Sequence, residues 1–145
     1  MSKNKFNRRG KSSLQRQLKD LPAQNDQEQR KIVFSFRDFD RNQGQPFTDW
    51  EEDKLLALSL DKLYQLSQLT MAQAQQQQLL KIYTKVDFPP KSEFKYPQHI
   101  KDGVTWASFH VKGKECIIGH VEDEIFHIVF LDKNHEFWIS EKKNT

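Results

Sequence analysis

Three apolar runs lie end to end near the close of the chain: "VTWASFHV" from Val104, "ECIIGHV" from Glu115 and "IFHIVFLD" from Ile125. Only "KGK" and "EDE" separate them. Runs of this length, rich in Val, Ile, Phe and Trp and bounded by polar or glycine punctuation, read as strands. The connections are too short for a crossover, so neighbouring runs must pair antiparallel. A three-stranded antiparallel meander is therefore expected. If Asp123–Glu124 is the two-residue turn, Val121 faces Phe126 and His120 faces His127 across the hairpin. A slip of one residue would send the two imidazoles to opposite faces. Alternation places Phe126, Ile128 and Phe130 on the bulkier face, which is the better core candidate. His127 then shares the other face with Val129 and Leu131.

The remaining segments supply what this sheet must pack against. Ile32, Phe34 and Phe36 alternate with Val33, Ser35 and Arg37, a strand pattern. After the loop "RNQGQPF", the run "TDWE" has the form of a capping box, with Thr48 as cap and Glu51 reaching back. Leu55, Leu56, Leu58, Leu60, Leu63 and Leu66 then make one apolar helical stripe to about Gln68. "TMAQ" repeats the capping signal at Thr70 and opens a second helix through the glutamine run. The stretch Leu79–Val86 reads equally as helix extension or strand. Residues 87–103 hold three prolines and read as an extended loop. The expected fold class is α+β: a strand, a helical hairpin, then the meander, with helices packed on one sheet face and the other face at least partly exposed.

Charge divides the chain in two. Residues 1–30 carry eight Lys/Arg against three acids, net +5, whereas the remainder is net −2. The first segment reads as a basic flexible arm, with Leu14, Leu18 and Leu21 allowing a short helix at 13–21. Arg8 and Arg9 belong to this arm, which suits phosphate contacts or a solubilising tail. Residues 31–145 read as one compact domain. No apolar run spans a membrane and no secretory signal is visible, so a cytoplasmic protein is expected. The single cysteine, Cys116, reads as a small buried hydrophobe, and no spacing typical of metal ligands occurs. No cofactor is expected.

Chemistry concentrates in the histidines. His110, His120, His127 and His135 all fall in the last third of the chain. Imidazoles titrate near neutrality and can both take and give a proton. Lys112, Lys114 and Lys133 lie beside them and can hold a phosphate. In the proline-rich loop Lys95 and Lys101 interleave with Phe94, Tyr96 and His99, a composition that suits single-stranded nucleic acid. The bland alternative is a sheet with satisfied surface histidines, His135 merely closing a turn with Asp132 and Asn134. Trp50 and Trp106 read as core.

The strand order, together with the final "FHIVFLDKNHEFW", resembles the RelE/ParE superfamily of bacterial type II toxins. The resemblance covers roughly residues 31–140 and rests on the order of elements plus "LDxNHxF". It implies a metal-independent endoribonuclease of the mRNA interferase type, acting on RNA or at the ribosome, with a cognate antitoxin as partner. The ParE branch acts on gyrase instead. Catalytic candidates are then His110, His120, His127, His135 and Asp132, with Phe137 and Trp138 as aromatic support. The arginines and C-terminal tyrosine typical of RelE strands are absent, and the chain is closer to branches that use histidines with an acid. The alternative is a non-catalytic module of a mobile element that binds nucleic acid or protein.

Overall fold

The computed structural model describes residues 29–84 and 88–139. The candidate helix at 13–21, with Arg8 and Arg9, lies outside them. From Lys31 on, the chain clusters as one compact unit. In chain order its elements are β1 (Val33–Ser35), α1 (Phe47–Glu52), α2 (Leu56–Ser67), α3 (Met71–Gln76), β2 (Lys81–Ile82), β3 (Thr105–His110), β4 (Cys116–Glu122) and β5 (Ile125–Asp132). Among the described residues the fold is mixed α+β, with three helices and a five-stranded sheet in the order β1-β5-β4-β3-β2. The expected meander is thus the centre of a larger sheet. β2 adds antiparallel to β3, and β1 adds to the far edge parallel to β5, so the sheet is mixed.

The helices are shorter than the leucine pattern suggests, and backbone geometry gives the reason. Lys54 adopts a left-handed conformation (φ 63°), with Lys54 N–H bonded to Glu51 O and Leu55 N–H to Trp50 O. This paired closure terminates a helix. It divides the expected single helix into α1 and α2. The same closure recurs at Gln78 (φ 61°), where Gln78 N–H reaches Gln75 O and Leu79 N–H reaches Ala74 O. α3 therefore stops early, and the ambiguous Leu79–Val86 stretch yields β2. Capping also departs from expectation at α1: Pro46 is its N-cap and no side chain caps it. At α3 the Thr70–Gln73 capping box forms as read. On α2, Leu66 is buried, whereas Leu58 and Leu60 are 38% and 61% exposed and fall off the expected stripe.

Both sheet faces are covered, which corrects the expectation of a partly exposed one. The helix-side core gathers Trp50, Leu55, Leu66, Phe109, Ile117, Phe126, Ile128 and Leu131. The opposite core gathers Tyr83, Phe94, Ile100, Trp106, Ile118, Val129, Phe130 and Phe137. Proline-rich residues 88–103 and the segment after β5 lie over this second face. The loop is pinned by Glu93 N–H to Glu136 O (2.9 Å) and by Gln43, whose amide bonds both Lys95 N–H (2.7 Å) and Lys95 O (2.8 Å). Aromatic packing does the rest, including Phe94 on Phe130 with centroids 4.5 Å apart.

A β-bulge decides which residues enter which core. Ile118 pairs with Phe130 and Gly119 with Ile128, leaving Val129 unmatched on β5. Two successive residues, Val129 and Phe130, consequently join the second core, and Leu131 returns to the helix side. Simple alternation had placed Phe130 and Leu131 the other way round. The bulge closes around a missing side chain. A Cβ at Gly119 would collide with the His127 carbonyl oxygen and the Phe126 ring. The carbonyl of Val129 accepts from Asp40 N–H at 2.9 Å. We expect Gly119→Ala to destabilise the fold by about 1–3 kcal/mol through overpacking. A denaturant midpoint unchanged from the parent chain would contradict this.

Candidate functional site

The turn between β4 and β5 is Asp123–Glu124, with Asp123 left-handed (φ 57°), as its short polar side chain tolerates. Val121 therefore pairs with Phe126 and His120 with His127. The two imidazoles stack, with ring centroids 4.7 Å apart and planes 27° apart. They do not lie on an open face: His120 and His127 are only 5% and 2% exposed. Each is tied by a carboxylate that the sequence did not single out. His120 Nε2 meets Asp38 Oδ2 at 3.0 Å, and His127 Nε2 meets Glu122 Oε1 at 3.3 Å. Asp38 follows β1, so the loop after the first strand locks onto the last hairpin. Arg37 clamps the same carboxylate through two contacts of 3.2 Å. The Arg37 hydrogen bond holds the Asp38 carboxyl down at about 2, and His120 adds to this. Burial pushes the His120 imidazole below its usual value against the opposing pull of Asp38. A small hollow of about 300 Å³, lined by Asp38, His99, Lys101, His120 and Glu122, lies outside this pair.

Two further histidines meet at the opposite end of β4. His110 ends β3, and His135 sits in the turn after β5 in a left-handed conformation (φ 60°). Their rings lie 5.6 Å apart, nearly parallel. The bulge makes this possible. It brings Asp132 opposite Cys116 on the second face, where Asp132 is fully buried. From there its carboxylate accepts Glu136 N–H at 2.9 Å and Phe137 N–H at 2.8 Å. Asp132 thereby shapes the turn that presents His135, and both its oxygens are occupied in doing so.

His110 and His135 open onto a cleft of about 570 Å³, which Gln75, Gln78, Lys81, Tyr83, Ser108 and Trp138 also line. Trp138 stacks on Tyr83 (4.7 Å, 7°), and Lys81 Nζ lies 5.2 Å and 5.3 Å from their two ring centres. A cation held over aromatic faces this way is attracted by the ring quadrupoles. Tyr83 and Ser108 share a hydroxyl hydrogen bond of 2.8 Å, and burial raises the Tyr83 phenol. His110 Nδ1 lies 2.7 Å from Gly113 O. A carbonyl only accepts, so Nδ1 carries the proton and the lone pair of a neutral His110 sits on Nε2. Cys116 Sγ approaches this ring at 3.5 Å from Nδ1 and 3.9 Å from Nε2. Burial first, then Asp132 and Glu115, pushes the thiol up to about 12.

The basic candidates disperse. Lys133 pairs with Asp53 at 2.5 Å on the helix side. Lys112 and Lys114 are exposed on the β3–β4 loop beside His110, Lys95 is exposed in the proline-rich loop, and Lys101 borders the His120 hollow. Phe137 is fully buried in the second core, as are Trp50 and Trp106 in theirs. Lys81 and Tyr83 escaped sequence reasoning because their segment fitted helix and strand equally. Among the described residues no helix is long and apolar enough to cross a membrane. No family model, no curated protein and no solved structure matches this chain.

The buried pair predicts an acid sensitivity. An imidazole held neutral by burial binds fewer protons folded than unfolded below its ordinary 6.5, so stability falls as pH falls through and below that value. Asp38, depressed to about 2 from 3.8, removes stability in a second, lower window as pH falls between those values. We expect the thermal midpoint to drop between about pH 7 and pH 5. His120→Gln, which keeps a donor for Asp38 without titrating, should flatten that slope. An equally steep slope in the variant would refute the assignment.

Proposed function

We propose that the chain is an endoribonuclease of RelE-like type whose reaction is carried by proton transfer in the cleft between β2, the end of β3 and the turn after β5. The observation that carries this reading is the pair of neighbouring imidazoles, His110 and His135, opening onto a cleft that also holds a lysine over a stacked Tyr–Trp pair. Their roles differ. His110, with its proton fixed on Nδ1, offers Nε2 as the base that takes the proton of a ribose 2′-OH. The 2′-oxygen forms a bond to phosphorus as the bond to the 5′-oxygen breaks, and His135 as imidazolium protonates that leaving oxygen. Lys81 faces the developing phosphorane charge. Trp138 offers its outer face to a base, as single-strand binders do. His120 and His127 serve the fold, since burial and their carboxylate partners leave them no approach to an RNA backbone.

The family reading rests on the order strand, helices, antiparallel strands, followed by the turn bearing Asp132, His135 and Phe137. With it come a cognate antitoxin as protein partner, RNA or the ribosome as target, and a cytoplasmic location. A non-catalytic nucleic-acid-binding module is the rival, favoured by the net charge of +5 over residues 1–30. Deleting residues 1–28 separates the two. An arm-borne binder loses RNA affinity and never cleaves, whereas a cleft-borne enzyme still cleaves.

The test is incubation of the purified full chain with single-stranded RNA in chelator, alongside growth on induced expression. The expected products carry 2′,3′-cyclic phosphate ends. His110→Ala and His135→Ala should each lower the rate about 10²–10⁴-fold. Lys81→Ala should cost about 10²-fold or more. Intact RNA and normal growth with folded protein would overturn the proposal.

A further inference from the structure

The same corner of the fold has a second chemistry that proton transfer does not use. We infer that His110, Cys116 and His135 form a three-ligand site for a borderline divalent cation, Zn²⁺ being the natural occupant, with its open coordination position facing the cleft.

One ligand atom from each residue lies within 4.8 Å of the other two. Tetrahedral zinc holds nitrogen at about 2.0–2.1 Å and sulfur at about 2.3 Å, which sets neighbouring donors roughly 3.3–3.6 Å apart. The Cys116 Sγ to His110 Nε2 distance of 3.9 Å is already close to that span. Small rotations of two side chains near the surface complete it. His110 is exposed and His135 partly so, whereas Cys116 forms the buried floor.

The surroundings match what a metal-binding imidazole ordinarily has. Nδ1 of His110 is engaged by Gly113 O at 2.7 Å, leaving Nε2 with its lone pair beside the thiol. A backbone carbonyl on the far nitrogen is the usual outer-shell arrangement that fixes tautomer and ring orientation. Gly113 is itself held, its N–H donating to Glu115 Oε1 at 2.8 Å. His135 is presented in a left-handed backbone that a non-glycine residue adopts at a cost, and Asp132 fixes the turn that keeps it there. Asp132, opposite Cys116, and Glu115, next to it, place negative charge near the sulfur. That charge opposes a bare thiolate and favours a cation that brings its own charge to the site.

The donor set selects the ion class. One sulfur and two imidazole nitrogens suit zinc and its neighbours rather than magnesium or calcium, which take oxygen. On binding, the thiol proton leaves to solvent and Cys116 coordinates as thiolate, so uptake releases a proton. Three protein ligands and one open position is the form of a reactive rather than a purely structural zinc site. Occupancy would take both imidazoles out of acid–base duty. Zinc would then inhibit the cleavage proposed above, a consequence that rests on that reading, whereas binding itself does not.

The test uses reduced, metal-free full chain and Co²⁺ as the spectroscopic probe. Binding through Cys116 gives a near-ultraviolet sulfur-to-cobalt charge-transfer band, bleached when Zn²⁺ is added. Cys116→Ser should abolish the band. His135→Ala, at a turn outside the sheet, should weaken Co²⁺ binding by well over about tenfold, since loss of even an outer-shell partner costs that much. Absence of the band in folded protein, or a band unaltered in both variants, would overturn the site. An RNA-cleavage assay in chelator reads the other proposal alone. Cleavage without a cobalt band removes the metal site only, and a cobalt band without cleavage removes the nuclease reading only. Where both appear, added Zn²⁺ should suppress cleavage, and Cys116→Ser should relieve that suppression.

Discussion

The unmatched residue on β5 organises this fold. Because Val129 has no partner on β4, the strand changes the faces of everything that follows it. Phe130 is delivered to the second core and Leu131 to the first. Asp132 is turned onto the loop side, where it caps the chain reversal beyond β5. Had alternation continued, a carboxylate would point into the leucine-rich helix layer, where an unpaired buried charge costs several kcal/mol. The space for the bulge comes from Gly119, and its freed carbonyl is taken by Asp40. The turn after β5, and with it His135, lies downstream of that single irregularity.

A strip of polar side chains lies beside the aromatic second core, His120 meeting Trp106 edge-on. Asp38, His120, His127 and Glu122 form a chain of contacts that joins the loop after β1 to the β4–β5 hairpin. The burial of the two imidazoles makes this chain of contacts a structural tie. It also leaves His127 Nδ1 without a hydrogen-bond partner, a cost of about 1–3 kcal/mol that an apolar ring would not incur. The histidine cluster at the other end of β4 differs. It is reachable from solvent, its rings lie beside a cleft, and its backbone holds one member in an unfavourable conformation.

Local chemistry made much of the centre legible. Apolar runs with two- and three-residue polar breaks set the meander, and the Asp123–Glu124 turn set the pairing of His120 with His127. The Thr70 capping box was legible for the same reason, since its residues are adjacent. What escaped depends on contacts between distant residues. No pattern near Val129 announces a bulge, because Gly119 makes room for it from another strand. The left-handed stops at Lys54 and Gln78 are not written in glycine, so the leucine pattern ran through them. Second-face burial depended on a proline-rich loop whose aromatic residues find partners only in three dimensions. The carboxylates that tie the paired histidines lie on the loop after β1 and at the end of β4, and no spacing rule connects them. Likewise His110, Cys116 and His135 have no metal-ligand spacing and meet only through strand pairing.

The parallel pairing of β1 with β5 has a consequence for how the chain acquires its structure. The first strand in sequence completes its hydrogen bonds only against the last, so most of the compact unit must exist before that edge can close. Such non-local closure slows folding and leaves apolar surface waiting. During synthesis Val33 and Phe34 would emerge long before Ile125 and Phe126 are available. Until then the early strand is an unpaired apolar edge, open to capture by other chains. The local hairpins of β3, β4 and β5 can form at once, so they are the natural template onto which β1 docks last.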